Sequence, residues 1–137
     1  MSIEVQSVTK SYETQLALNE ISFSASKGEI IGFLGPNGAG KSTMMKILTG
    51  FILPTKGTVF ISGINVLKNP IEAKAHIGYL PEQNPLYEDM YVKEYLQFQT
   101  SIFKVPKEAI ETVVNTVGLK PEVHKKIGQL SKGYQQR

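Results

Sequence analysis

The feature that most constrains this chain is the run Gly35, Pro36, Asn37, Gly38, Ala39, Gly40, Lys41 and Ser42, which satisfies G-x-x-x-x-G-K-[ST]. The pattern works only where a buried strand delivers the chain to the loop and a helix carries it away, and both flanks read that way. Glu29 to Leu34 is apolar on both faces apart from Gly32, as a central strand covered on two sides requires. After the loop, Met44, Met45, Ile47 and Leu48 recur at helical spacing, and Gly50 is placed to stop the helix in a left-handed conformation. Glycines let successive backbone N–H groups point into one concavity, and the helix adds its positive end. Lys41 is then expected to neutralise the β- and γ-phosphates and Ser42 to offer a hydroxyl to Mg²⁺, with Thr43 donating to the α-phosphate. A plain glycine turn has no use for Lys-Ser at this place. A dinucleotide loop fails too, because Thr43 stands where a third small residue is needed and Asp89, the sole aspartate, is too distant to hold a ribose. A nucleoside triphosphate is the ligand implied.

The other segments predict an α/β chain. Ile3, Val5 and Val8 alternate loosely and Ile21, Phe23 and Ala25 cleanly, giving two half-buried strands before the Lys27-Gly28 turn. Thr58 to Ile61 reads as a short strand returning through Gly63. Asn69, Pro70 and Glu72 offer an N-cap, a first-turn proline and a capping-box acid for a helix to about His76, with a strand Ile77 to Leu80 after it. The last third is helical in texture. Val92, Tyr95, Leu96, Phe98, Ile102 and Phe103 form one broad apolar face; a further helix opens at Pro106, buries Ile110, Val113, Val114 and Val117, and ends at Gly118.

Composition excludes several function classes. The 137 residues suit one compact domain with a core, and the net charge of +3 is mild. Arg137 is the only arginine, which disfavours a nucleic-acid reader dependent on the guanidinium fork. Without cysteine there is no disulfide, no thiolate catalysis and no cysteine-ligated metal. No apolar run approaches the roughly 20 residues needed to span a bilayer.

A second motif narrows the family. Leu130, Ser131, Lys132, Gly133, Tyr134, Gln135, Gln136 and Arg137 resemble the signature of ATP-binding cassette (ABC) proteins, L-S-G-G-Q with a following Q-R, Lys132 and Tyr134 being the departures. Ser131 is suited to cap a new helix with the N–H groups near Gly133 turned outward. The spacing from Lys41 to Ser131, with sheet and then helices between, is similar to that of the family over the whole chain. The resemblance implies that Tyr12 stacks on adenine, with Glu13 standing where the family usually has glycine. Gly78 to Gln83 looks like the Q-loop; Glu82 holds the register of the family glutamine as an oxygen ligand near Mg²⁺, or a shifted loop presents Gln83 instead. Leu86, Tyr87, Met90 and Tyr91 would neighbour a transmembrane partner or pack the helical lobe.

The implied fold is a P-loop NTPase of the ABC ATPase type, incomplete: a β-subdomain and partial RecA-like core over 1–82 and a helical subdomain over 83–137. The resemblance extends to ABC-2 type exporters of the gliding-motility-associated kind. It implies a subunit peripheral on the cytoplasmic face of the membrane, binding ATP and Mg²⁺, paired as a homodimer or heterodimer, in which Lys41 and the Q-loop serve the reaction and Ser131, Lys132, Gly133, Tyr134 and Gln135 contact the partner's ATP. It works with a permease and without nucleic acid. The strand ending in Asp-Glu and the later histidine that the family uses for hydrolysis are expected beyond Arg137, so weak ATP binding without turnover is expected of these residues. The alternatives are a soluble ABC-type ATPase and a non-catalytic nucleotide-binding module.

Overall fold

The computed structural model describes residues 2–137, which form two compact units divided between Tyr79 and Leu80. In the first unit, β1 (Ile3–Tyr12) runs antiparallel to β2 (Gln15–Ala25) on one side and to β3 (Lys56–Ile61) on the other; β4 (Ile64–Asn65) completes the order β2-β1-β3-β4. Val5 and Val8 are both buried although three apart, because the register slips between them and Ser7 takes φ 46°. An irregularity of this kind resets the two-residue alternation, which is why the pattern looks loose in sequence. The Ser7 amide finds Ser22 Oγ at 2.8 Å. Gly57, the second residue of β3, lies so close to the Ser7 carbonyl that a Cβ there has no room.

Helix α1 (Lys41–Leu48) lays Met44, Ile47 and Leu48 on the sheet residues Val5, Val8, Leu18, Val59 and Ile61, with Val66 and Ala73 closing the cluster. Gly50 at φ 67° and the Gly50 N–H to Ile47 carbonyl bond (3.0 Å) end α1 as its sequence predicts. Helix α2 (Pro70–Lys74) is shorter than expected, and Asn69 caps it without a side-chain bond. Asn65 is the local side-chain acceptor here, its Oδ1 taking the amides of Leu67 and Lys68.

Two expected strands are absent among the described residues. Glu29 to Leu34 pairs with no strand, and Ile30 and Leu34 are 101% and 94% exposed. Ile77 to Leu80 forms no ladder either. A strand exists only beside another whose N–H and C=O groups it meets, and none of the four strands pairs with these segments. Aromatic contacts hold parts of them: Phe33 meets Phe23 edge-on at 5.1 Å, and Tyr79 meets Phe51 at 5.7 Å.

The second unit packs α3 (Val92–Phe103) and α4 (Ala109–Thr116) around Val92, Val114, Leu119, Ile127 and Leu130. Only the first half of α3 contributes: Tyr95 and Leu96 join the cluster, whereas Phe98, Ile102 and Phe103 remain exposed, so the apolar face is narrower than its sequence suggests. Helix α4 starts at Ala109 rather than Pro106, and Val113 is exposed. Gly118 at φ 65° closes α4, and the Leu119 amide reaches back to the Val114 carbonyl at 2.8 Å. Two 3-10 turns, Lys120–Glu122 and Ile127–Gln129, lead to α5 (Lys132–Gln135).

Candidate functional site

In the first unit, the loop from Gly35 to Gly40 is exposed up to Ala39 and becomes half-buried at Gly40, where α1 begins. Gly38 and Gly40 both take φ 85°, a left-handed conformation that favours glycine. At Gly40 the requirement is doubled, because a Cβ would run into the Ala17 carbonyl and come within 2.7 Å of Leu18 Cδ2. The end of the loop is thus seated on β2, and the buried Met44 fixes the helix that follows. The Ala39 amide turns back to the Pro36 carbonyl at 3.2 Å and Met44 N–H meets the Gly40 carbonyl at 2.9 Å.

The electrostatics favour an anion. Gly40 as N-cap supplies no side-chain acceptor to the first-turn amides of α1, and that turn carries no acidic residue. The Lys41 ammonium lies across the loop, donating to the Gly35 and Pro36 carbonyls at 2.7 Å each. Both acceptors are neutral and exchangeable, so a phosphate oxygen, which makes stronger charge-assisted bonds, would outcompete them. Ser42 is exposed and Thr43 half-buried in the same first turn.

Tyr12 ends β1 opposite Gln15 across a two-residue turn, 45% exposed. Glu13 takes the left-handed conformation glycine would favour, at φ 48°, so the turn forms despite the missing glycine. The Lys10 ammonium sits 5.0 Å from the Tyr12 ring centroid and donates to the Leu53 carbonyl at 2.9 Å. The sequence reading did not single out Lys10. The only signal for it was its two-residue spacing from Tyr12, which puts both side chains on one face of a strand.

The second unit holds the remaining expected residues. Glu82 and Gln83 are exposed in a bend after Pro81, and neither is in regular structure. Ser131 caps α5, its hydroxyl accepting from the Tyr134 amide at 3.4 Å, and Lys132 and Gly133 are exposed beside it. Tyr134 is half-buried against the unit's core, with the Arg137 guanidinium 4.9 Å from its ring centroid. Gln135 is engaged internally: its side chain donates to the Ile127 carbonyl at 3.1 Å and its own carbonyl accepts from Asn84 Nδ2 at 3.3 Å. A separate cleft of about 320 Å³ between α3 and α4, edged by Lys93, Lys107, Lys120 and His124, includes none of the expected site residues. His76 and His124 are exposed, and Asp89 lies exposed in a turn next to Glu88.

A family profile described as "ABC transporter" matches residues 18–137. An uncharacterized ABC transporter ATP-binding protein, YhcH of Bacillus subtilis (strain 168), is 38% identical over 98% of this chain and 45% of its own length. The bacitracin transport ATP-binding protein BcrA of Bacillus licheniformis is 37% identical over 98% of this chain and 44% of its own. The chain therefore spans about half the length of these curated relatives. Among solved structures, an ATP binding subunit of an ABC transporter superposes with a TM-score of 0.88 at 26% identity, covering 99% of this chain and 58% of the other. The dimeric bacterial ABC transporter cassette MJ0796 gives 0.79 at 25% identity, covering 97% of this chain and 65% of the other. The fold is that of an ABC-type P-loop NTPase, present as a partial α/β assembly.

Proposed function

The chain belongs to the ABC transporter family, and from that membership we propose that it binds MgATP at Gly35 to Thr43 as the nucleotide-gripping part of an ATP-driven exporter. The observation that carries the proposal is Lys41 folded over the exposed loop, with its ammonium on two replaceable carbonyls. On binding, Gly38, Gly40 and the first-turn amides of α1 hold the phosphate chain while Lys41 exchanges those carbonyls for phosphate oxygens. Tyr12 offers a flat exposed ring to the base.

Mg²⁺ fits this arrangement as a companion of substrate phosphates. Among the described residues no three His, Cys, Asp or Glu side chains gather into a cage, while Ser42 presents an exposed hydroxyl beside the loop. When bound, the ion would neutralise phosphate charge. Ser42 is the proposed Mg²⁺ ligand beside the loop, and the Q-loop role is proposed for Glu82, or for Gln83 in a shifted loop. Ser131, Lys132 and Gly133 are proposed to contact the nucleotide of a second copy, supported by their exposure and by the dimer reported for MJ0796. Gln135, tied to Ile127 and Asn84, is proposed to brace that segment.

A transmembrane permease is the proposed partner, with the chain peripheral on the cytoplasmic face; no helix among the described residues is long and apolar enough to cross a membrane. The finer reading, an ABC-2 type exporter of the gliding-motility-associated kind, rests on the wording of Gly78 to Gln83 and Leu130 to Gly133 alone. For these 137 residues we propose binding without turnover, since the one aspartate, Asp89, lies in an exposed turn and not at the end of a strand. Isothermal titration with MgATP tests the binding: a measurable affinity should fall at least about ten-fold in Lys41→Ala. An unchanged affinity removes the proposal, and vigorous phosphate release that Lys41→Ala abolishes removes its claim of no turnover.

A further inference from the structure

Outside the phosphate loop, Lys10 makes two directed contacts, to a carbonyl and to an aromatic ring. It is half-buried, and among the described residues it makes no ion pair. Its ammonium instead lies 5.0 Å from the Tyr12 ring centroid, inside the range of attraction to an aromatic face, while one N–H donates to the Leu53 carbonyl at 2.9 Å. Leu53 lies in the connection that leaves α1 for β3. The same stretch is stitched to β1 by the Ser11 amide on Thr55 Oγ1 at 3.0 Å and by the Thr55 amide on the Thr9 carbonyl at 2.8 Å.

From these contacts we infer that Lys10 is a positioning residue for the base: it holds one face of the Tyr12 ring against a charge anchored to the segment behind α1, leaving the rest of the ring as the platform. The inference rests on the reading of Tyr12 as the base-stacking residue. Two consequences follow from the chemistry. A Tyr side chain at a strand end is free to change rotamer, and an ammonium fixed by a backbone acceptor removes part of that freedom before the nucleotide arrives. The cation also draws π density from the ring, which favours stacking on the electron-rich face of a purine. Beyond the turn at Glu13 and Thr14 the same hairpin continues to Ala17 and Leu18, against which Gly40 is packed. The platform and the phosphate loop are therefore mounted on one piece of β-structure, and Lys10 fixes the end that reads the base.

The test separates the base end from the phosphate end by comparing ATP with inorganic tripolyphosphate in titrations of the chain. Lys10→Met keeps the length and apolar stem but removes the charge; it should weaken ATP binding about two- to five-fold and leave tripolyphosphate binding unchanged. Lys10→Arg, which retains both a cation over the ring and a donor to Leu53, should restore ATP binding. Urea unfolding of each variant reads out any loss of folded protein. An unchanged ATP affinity in Lys10→Met, an equal loss on both ligands, or failure of Lys10→Arg to restore binding would overturn the role given to Lys10. Tyr12→Leu distinguishes the two levels: if it leaves the preference for ATP over tripolyphosphate intact, the base-platform reading itself falls, and Lys10 with it.

Discussion

Replacing Gly38 and Gly40 one at a time by alanine tests how the phosphate loop is held. Both residues have φ 85°, so each alanine forces an L residue into the left-handed region at about 1–2 kcal/mol. At Gly38 that is the whole cost, since nothing lies within 4 Å of the new methyl. At Gly40 the methyl meets the Ala17 carbonyl and sits 2.7 Å from Leu18 Cδ2, so either β2 or the start of α1 must move. Overpacking of this kind adds about 1–3 kcal/mol, giving about 2–5 kcal/mol for Gly40→Ala. Against a typical stability of about 5–15 kcal/mol this is a large fraction. Urea unfolding followed by circular dichroism reads both changes, and a difference in midpoint at constant slope reports stability alone. Equal destabilisation by the two variants would mean that Gly40 is not pinned on β2, and the account of the seated loop would have to be abandoned.

Glu13→Gly should stabilise the chain by about 0.5–1 kcal/mol, the left-handed penalty removed less the entropy glycine loses on folding; a lower urea midpoint would contradict the geometry of that turn. Ile30→Ser should change stability by less than about 0.5 kcal/mol because the side chain is fully solvated, and a loss of about 2 kcal/mol or more would mean that Ile30 is buried after all. Ser131→Ala should cost about 0.5 kcal/mol, the low end for an N-cap, since the bond it removes is long at 3.4 Å. Amide exchange should quicken at Tyr134; unaltered protection there would show that the hydroxyl is not the cap.

What was legible in the sequence was what is local. The glycine turn that leads into α1 could be read because its residues are neighbours, and helices α1 and α4 could be read as far as Gly50 and Gly118 because a helix satisfies its backbone within itself. Ser131 was legible as a cap for the same reason. Asn69 does take the N-cap position of α2, but its side chain makes no cap bond; the local side-chain bonds are those of Asn65, to amides that precede the helix. Lys10 was missed because its anchor, Leu53, is 43 residues away and nothing in the pattern of either segment announces the other.

The two strands that failed to appear are the most instructive difference, because their sequence was not misread as to polarity. Ile30, Ile31, Phe33 and Leu34 are apolar on both faces, and that pattern states how much surface the segment would bury if covered. It does not state what covers it. Helical periodicity is a property of one segment, whereas a ladder is a relation between two, and the hydrogen bonds of Glu29 to Leu34 would have to be supplied by another stretch of chain. In the sheet β2-β1-β3-β4 every pairing is antiparallel, and none of its strands pairs with that segment. The phosphate loop nonetheless keeps its form, because Gly40 and Met44 are held by Leu18 and the core of the sheet and not by the strand that leads into it.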